Sequence, residues 1–241
     1  MRTAFAPTEN YQRLLAAVAR VEGRAAREAG IILVTGPAGY GKSNAVRRFA
    51  VQQNALYLRA KTFWTPRIFL AELVRELGGA PRHRRDDLFT KAIDLLSQDT
   101  PQPIVIDEAE HMARDLQSLE SARDISDTLE NVVLLVGMDR LQNRIARFPQ
   151  IFSRVAEAVE FQPATVEDVS TLAETLCEVK VAADLAERIH GESKGRVRLI
   201  LNALARAEQH AVTNKLAQVA AADMDGLPLV EVFTPRKKVR Q

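Results

Sequence analysis

Apolar residues recur along this chain in two rhythms. Leu14, Leu15, Val18 and Val21 repeat at helical spacing, which predicts an amphipathic helix over Glu9 to Glu28, closed by Gly30. Ile31 to Thr35 then forms a short unbroken apolar run between glycine and proline, the pattern of a strand buried on both faces. The alternation continues. A helix is expected from Lys42 to about Gln53, a strand over Ala55–Arg59, and a helix opened by Pro66 and stopped by Gly78-Gly79. Asp86 is placed as the cap of a helix carrying Leu88, Phe89, Ile93, Leu95 and Leu96. A third strand covers Pro103–Asp107, a helix Leu116–Leu129, a fourth strand Val132–Val136, and a weaker fifth Ala158–Phe161.

Strands alternating with helices predict an α/β fold with a parallel sheet flanked by helices on both faces. After Pro163 the strand-like runs stop, and helical patterns follow at Val166–Glu178, Ala182–His190 and Arg196–Ala211, with a last short helix expected over Lys215–Ala222. The expected organisation is an N-terminal helix in 1–30, an α/β nucleotide-binding domain in 31–163, a small all-helical lid domain in 164–222, and a basic, poorly ordered tail in 223–241.

The composition changes this picture little but excludes several classes. With 241 residues there is room for one sizeable α/β core plus a small second domain. A single cysteine, Cys177, rules out an intrachain disulfide and a cysteine-rich metal site, and fits a cytoplasmic setting. No apolar stretch is long enough to span a bilayer, so no membrane partner is expected. The net charge of +2 says little, whereas two basic runs stand out: Arg82, Arg84 and Arg85, and the tail from Arg236 to Arg240.

The chemistry sits first in Gly36-Pro37-Ala38-Gly39-Tyr40-Gly41-Lys42-Ser43, which satisfies G-x-x-x-x-G-K-[ST] at every required position between a buried strand and a helix. Glycines let backbone N–H groups close around phosphate oxygens, and the helix N-terminus adds favourable partial charge. Lys42 brings a point charge to the terminal phosphates, the Ser43 hydroxyl is a magnesium ligand, and the binding stretch extends to Asn44. ATP and Mg2+ are therefore the expected cofactors. Asp107 and Glu108 close the third strand, at the sheet edge where ligands of open α/β folds sit. Asp107 is assigned to the metal and Glu108 to the base that orients and deprotonates water. A small-molecule kinase, whose acceptor is not water, has no use for that second carboxylate.

The glycine loop, the Asp-Glu strand end and the helical tail together resemble the AAA+ ATPases. The stretches Val105–His111, Leu119–Asp127 and Val133–Leu141 resemble the transposition target-selection ATPases of the MuB and TnsC kind. The resemblance implies rings or helical filaments in which one subunit's arginine completes its neighbour's site. Arg154 matches that position, with Arg147 in reserve. Gly195-Arg-Val-Arg198 resembles the second sensor, which makes Arg198 a catalytic candidate reaching phosphate in cis. The first sensor departs from the family: Met138 and Asp139 stand where Asn, Ser or Thr is usual.

The resemblance further implies double-stranded DNA gripped without sequence preference by the segment between the second and third strands. Arg82, Arg84, Arg85 and Lys91 are the candidate phosphate contacts there. The expected activity is ATP hydrolysis, stimulated by assembly and DNA. In it the protein assembles on target DNA, recruits a transposase, and uses hydrolysis for release. The alternatives are a helicase loader or initiator-type ATPase, the latter expected to carry a winged-helix module, and a secretion-type AAA+ ATPase with no DNA role.

Overall fold

A computed structural model describes residues 1–98 and 102–230; the basic run at 236–240 lies outside them. The chain divides into two compact units, residues 10–162 and residues 1–9 with 163 onward.

The larger unit contains α1 (Glu9–Glu22, beginning one residue before it), β1 (Ile31–Thr35), α2 (Lys42–Gln52), β2 (Leu56–Arg59), α3 (Pro66–Glu76) and α4 (Arg85–Leu96). It continues with β3 (Ile104–Asp107), α5 (Leu116–Leu129), β4 (Val133–Val136), the short α6 (Arg140–Ile145) and α7 (Pro149–Phe152), and β5 (Val155–Glu160). The five strands form one parallel sheet in the order β2-β3-β4-β1-β5. All residues of β3 and β4 are buried, as are those of β1, which explains their unbroken apolar runs. Phe69, Leu70, Leu73, Leu88, Ile104, Ile106 and Leu135 belong to a single apolar cluster with the α3, α4 and α5 helices.

Local signals set most helix starts. The Thr65 side chain accepts a hydrogen bond from Ile68 N and Pro66 opens α3; Asp115 does the same for Gln117 N at α5. Three boundaries in this unit differ from the sequence reading by more than one residue. The first helix ends at Glu22, where the Arg24 guanidinium donates to the Val21 carbonyl (2.8 Å) and takes over a C-terminal acceptor. The fourth helix begins at Arg85, with Arg84 rather than Asp86 at the cap and no capping side chain. The fifth strand starts three residues early, at Val155, because pairing with β1 recruits a segment whose glutamates had masked it.

The smaller unit contains α8 (Val166–Leu176), β6 (Lys180–Val181), α9 (Ala183–Ser193), α10 (Val197–Thr213) and β7 (Gln218–Val219). A reciprocal capping box between Thr165 and Asp168 starts α8. This unit is not all-helical. The expected helix over Lys215–Ala222 is replaced by β7, which pairs in parallel with β6, and by a single 3-10 turn at Ala222–Met224. Val219 is fully buried, so non-local burial outweighs a weak local helix preference.

Candidate nucleotide site

The strand order puts β4 between β1 and β3, so the loops leaving their carboxyl ends stand side by side. The loop after β1 turns through left-handed backbone at Gly36, Gly39 and Gly41, with φ of 141°, 90° and 88°. At Gly36 space is as restrictive as conformation: an added Cβ would lie 2.8 Å from the Phe161 carbonyl oxygen. Gly41 caps α2 with no side-chain bond, leaving the first N–H groups of that helix aimed outward. Lys42 Nζ donates to the carbonyls of Gly36 (2.5 Å) and Pro37 (2.8 Å), lying across the loop it would share with phosphates. Burial pushes the Lys42 pKa down, against the opposing pull of Asp139, Glu110 and Asp107.

Asp107 is buried at the end of β3, and both of its oxygens are engaged. Oδ1 accepts from Glu108 N (2.9 Å) and Oδ2 from Tyr57 Oη (2.7 Å). Glu108 follows in left-handed backbone, φ 55°, a conformation that costs a residue with a side chain about 1–2 kcal/mol. Neighbouring bonds hold it there: Ala60 N to Asp107 O (2.8 Å), Ala109 N to Val136 O (2.8 Å) and His111 N to Glu108 O (3.0 Å). The Glu108 carboxylate pairs with Arg59 Nη2 at 2.5 Å, and His111 Nε2 lies 3.9 Å away. Ser43 and Asp107 offer hard oxygen donors, the type that suits Mg2+.

The structure thus brings the loop, Lys42, Asp107 and Glu108 to one edge of one sheet. Met138 and Asp139 are exposed at the adjoining end of β4, where Asp139 favours the charged form of Lys42. The sequence reading missed three neighbours. Tyr57 and Arg59 alternate along β2 and so share a face, with Arg59 in register with Asp107. Glu110 has a buried carboxylate oxygen without a partner among the described residues, beside Gly137. Period-two alternation in β2 was a readable signal; the placement of Glu110 was not.

Arg154 does not project freely. Its Nε donates to Asp127 at 3.1 and 3.2 Å, whereas Arg147 is exposed with no side-chain partner among the described residues. Arg198 is exposed in the first turn of α10 in the smaller unit. Arg82, Arg84 and Arg85 are exposed before and at the start of α4, where Arg84 pairs with Asp86 (3.1 Å) and Arg85 donates to Gln117 (3.2 Å). Lys91 is half-buried on the same helix. Arg67 Nε donates to the His83 carbonyl (2.8 Å), joining the start of α3 to this basic loop.

A glycine phosphate loop and a strand-end Asp-Glu pair on a 2-3-4-1-5 parallel sheet define a nucleotide-binding ATPase fold. The chain belongs to the AAA domain family, whose pattern matches residues 25–145. It is an AAA+ ATPase resembling the transposition target-selection group: it is 27% identical over 152 residues to the ATP-dependent target DNA activator B of Escherichia phage Mu, and equally to that of phage D108. That match covers 60% of this chain and 48% of each relative, so the chain spans about half the length of these proteins. Among solved structures, the Aeropyrum pernix ORC2 protein superposes with a TM-score of 0.71 at 16% identity, over 92% of this chain and 68% of that one. The Thermotoga maritima RuvB branch migration motor gives 0.60 at 17%, over 91% and 67%. At such identities the likeness is one of fold. Among the described residues no helix is long and apolar enough to cross a membrane.

Proposed function

We propose that this protein binds ATP with Mg2+ in the Gly36–Asn44 stretch and lets nucleotide state control a sequence-tolerant grip on double-stranded DNA. There, in the cytoplasm, it recruits a transposase, and hydrolysis ends the assembly. The observation that carries this reading is the 152-residue likeness to two target DNA activators in a chain that has the loop, Lys42 and both strand-end carboxylates.

Each residue has a definite part in that cycle. Backbone amides of Gly39 to Ser43 surround the phosphates, and Lys42 leaves its loop carbonyls to meet them. Ser43 and Asp107 would hold Mg2+, which would neutralise charge developing on the phosphates. Glu108 orients water and takes its proton once Arg59 yields the carboxylate. Arg154, or Arg147, completes a neighbour's site in a self-assembled ring or filament, and Arg198 reports phosphate to the smaller unit. Arg82, Arg84, Arg85 and Lys91 meet DNA phosphates, a mode that reads no bases and weakens steeply with salt.

Electron microscopy with duplex DNA tests the reading directly. Ordered assemblies are expected with a slowly hydrolysed ATP analogue and none with ADP. Nucleotide binding by a protein that ignores duplex at low salt would leave the ATPase and remove the transposition role.

A further inference from the structure

The Asp107 carboxylate is reached from a second element that no motif marks. Tyr57 lies on β2, whose register pairs Arg59 with Asp107 and Tyr57 with Val105. Two-residue alternation puts Tyr57 and Asp107 on the same face, on diagonal positions across adjacent strands. The phenol oxygen lies 2.7 Å from Asp107 Oδ2 and 3.2 Å from Arg47 Nε. The Arg47 guanidinium also sits over the tyrosine ring, 5.5 Å from its centroid. Arg47 stands on α2, the helix that Lys42 and Ser43 begin.

The proton order in this chain is determined. A guanidinium nitrogen can only donate, so the phenol accepts from Arg47 and its one proton goes to Asp107. With Glu108 N–H on Oδ1 and Tyr57 on Oδ2, each carboxylate oxygen has one lone-pair direction fixed and another left over. Partners of this kind set the orientation of a metal-binding carboxylate.

We propose that Tyr57, backed by Arg47, is a positioning residue that holds Asp107 in the orientation in which it takes Mg2+, linking the phosphate-loop helix to the metal carboxylate. The proposal rests on the assignment of Asp107 to the metal.

The test measures metal dependence of binding, without turnover. A fluorescent ATP analogue is titrated into wild-type protein, Tyr57→Phe, Arg47→Ala and Asp107→Asn across a range of Mg2+ concentrations and in EDTA. Tyr57→Phe keeps the ring and its place in the strand. Its affinity in EDTA is expected to stay within about twofold of wild type, while the Mg2+ concentration for half-maximal effect rises about tenfold. Arg47→Ala leaves the phenol in place and should raise it less; no rise would remove Arg47 from the proposal. If Asp107→Asn shifts the Mg2+ dependence and Tyr57→Phe does not, the role of Tyr57 is overturned while that of Asp107 stands. If neither shifts it, the metal assignment and the proposal fall together. Equal loss of affinity with and without Mg2+ in Tyr57→Phe would mark the tyrosine as structural and also overturn it.

Discussion

Gly137→Ala isolates one crowded contact at the nucleotide edge. Gly137 is buried at the end of β4, its N–H bonded to the Val34 carbonyl at 2.9 Å, and its backbone is outside the left-handed region. Alanine is therefore not barred by conformation, and the cost comes from space. The new Cβ would lie 2.4 Å from Glu110 Oε2, 3.0 Å from Leu141 Cδ2 and 3.3 Å from Leu141 Cβ. That carboxylate oxygen is itself buried, so it cannot swing aside without moving its surroundings. Overpacking of this kind costs about 1–3 kcal/mol. The lower chain entropy of alanine in the unfolded state returns about 0.4–1 kcal/mol. A net loss of about 1–2 kcal/mol is expected. In the Glu110→Ala background the worst contact is gone, and the same substitution should cost less than about 0.5 kcal/mol, giving a coupling near 1 kcal/mol. Urea unfolding followed by Trp64 fluorescence measures this cleanly. Trp64 is the single tryptophan, is 5% exposed, and lies in the unit that carries the contact. If Gly137→Ala costs the same with and without the Glu110 carboxylate, to within about 0.4 kcal/mol, the steric account is wrong.

Other substitutions probe the site more directly. Lys42→Ala should weaken nucleotide binding by about two orders of magnitude in calorimetric titration, given the worth of a charged phosphate contact; unchanged affinity would refute the loop assignment. Glu108→Gln should bind nucleotide normally yet release phosphate about 100- to 10,000-fold more slowly, and a wild-type rate would exclude it as the base. Arg154→Ala breaks a partly exposed ion pair and should lower stability by less than about 1 kcal/mol, while abolishing DNA-stimulated turnover. Mixing it with Lys42→Ala protein should restore activity; no recovery would argue against action across a subunit boundary. Burial pushes the Cys177 thiol up to about 11, so the thiolate that a disulfide reagent needs is scarce at pH 8 in the folded smaller unit. Labelling should be slow until that unit unfolds, and a native rate equal to that of a free thiol would contradict the buried placement.

What the sequence disclosed depended on whether a feature was local. The loop from Gly36 to Ser43 and the strand ends at Asp107 needed only short-range patterns, because backbone torsion and burial are written in consecutive residues. The helix Leu116–Leu129 was read to the residue, since its start carries Asp115 as a cap and its end meets the next buried strand. The failures were tertiary. Gln218–Val219 is a strand only because Lys180–Val181 lies beside it, and nothing within Lys215–Ala222 announces that partner. The first helix stops six residues early, since Ala25 and Ala26 supply too little apolar area to continue the buried face beyond Val21. At the site, the roles of Tyr57 and Arg59 required the β2–β3 register, and that of Glu110 required knowing that β4 ends in a glycine beside it.

Asp127 serves two guanidinium groups, Arg154 at 3.1 Å and Arg123 at 4.0 Å from the same oxygen. Its negative charge is a shared counterweight, and the posture of a side chain at the foot of β5 is consequently governed from α5. A competing anion brought close by an adjoining molecule has a single carboxylate to outbid. Once Arg154 lets go, Arg123, itself shared with Asp124, remains as the cation beside Asp127.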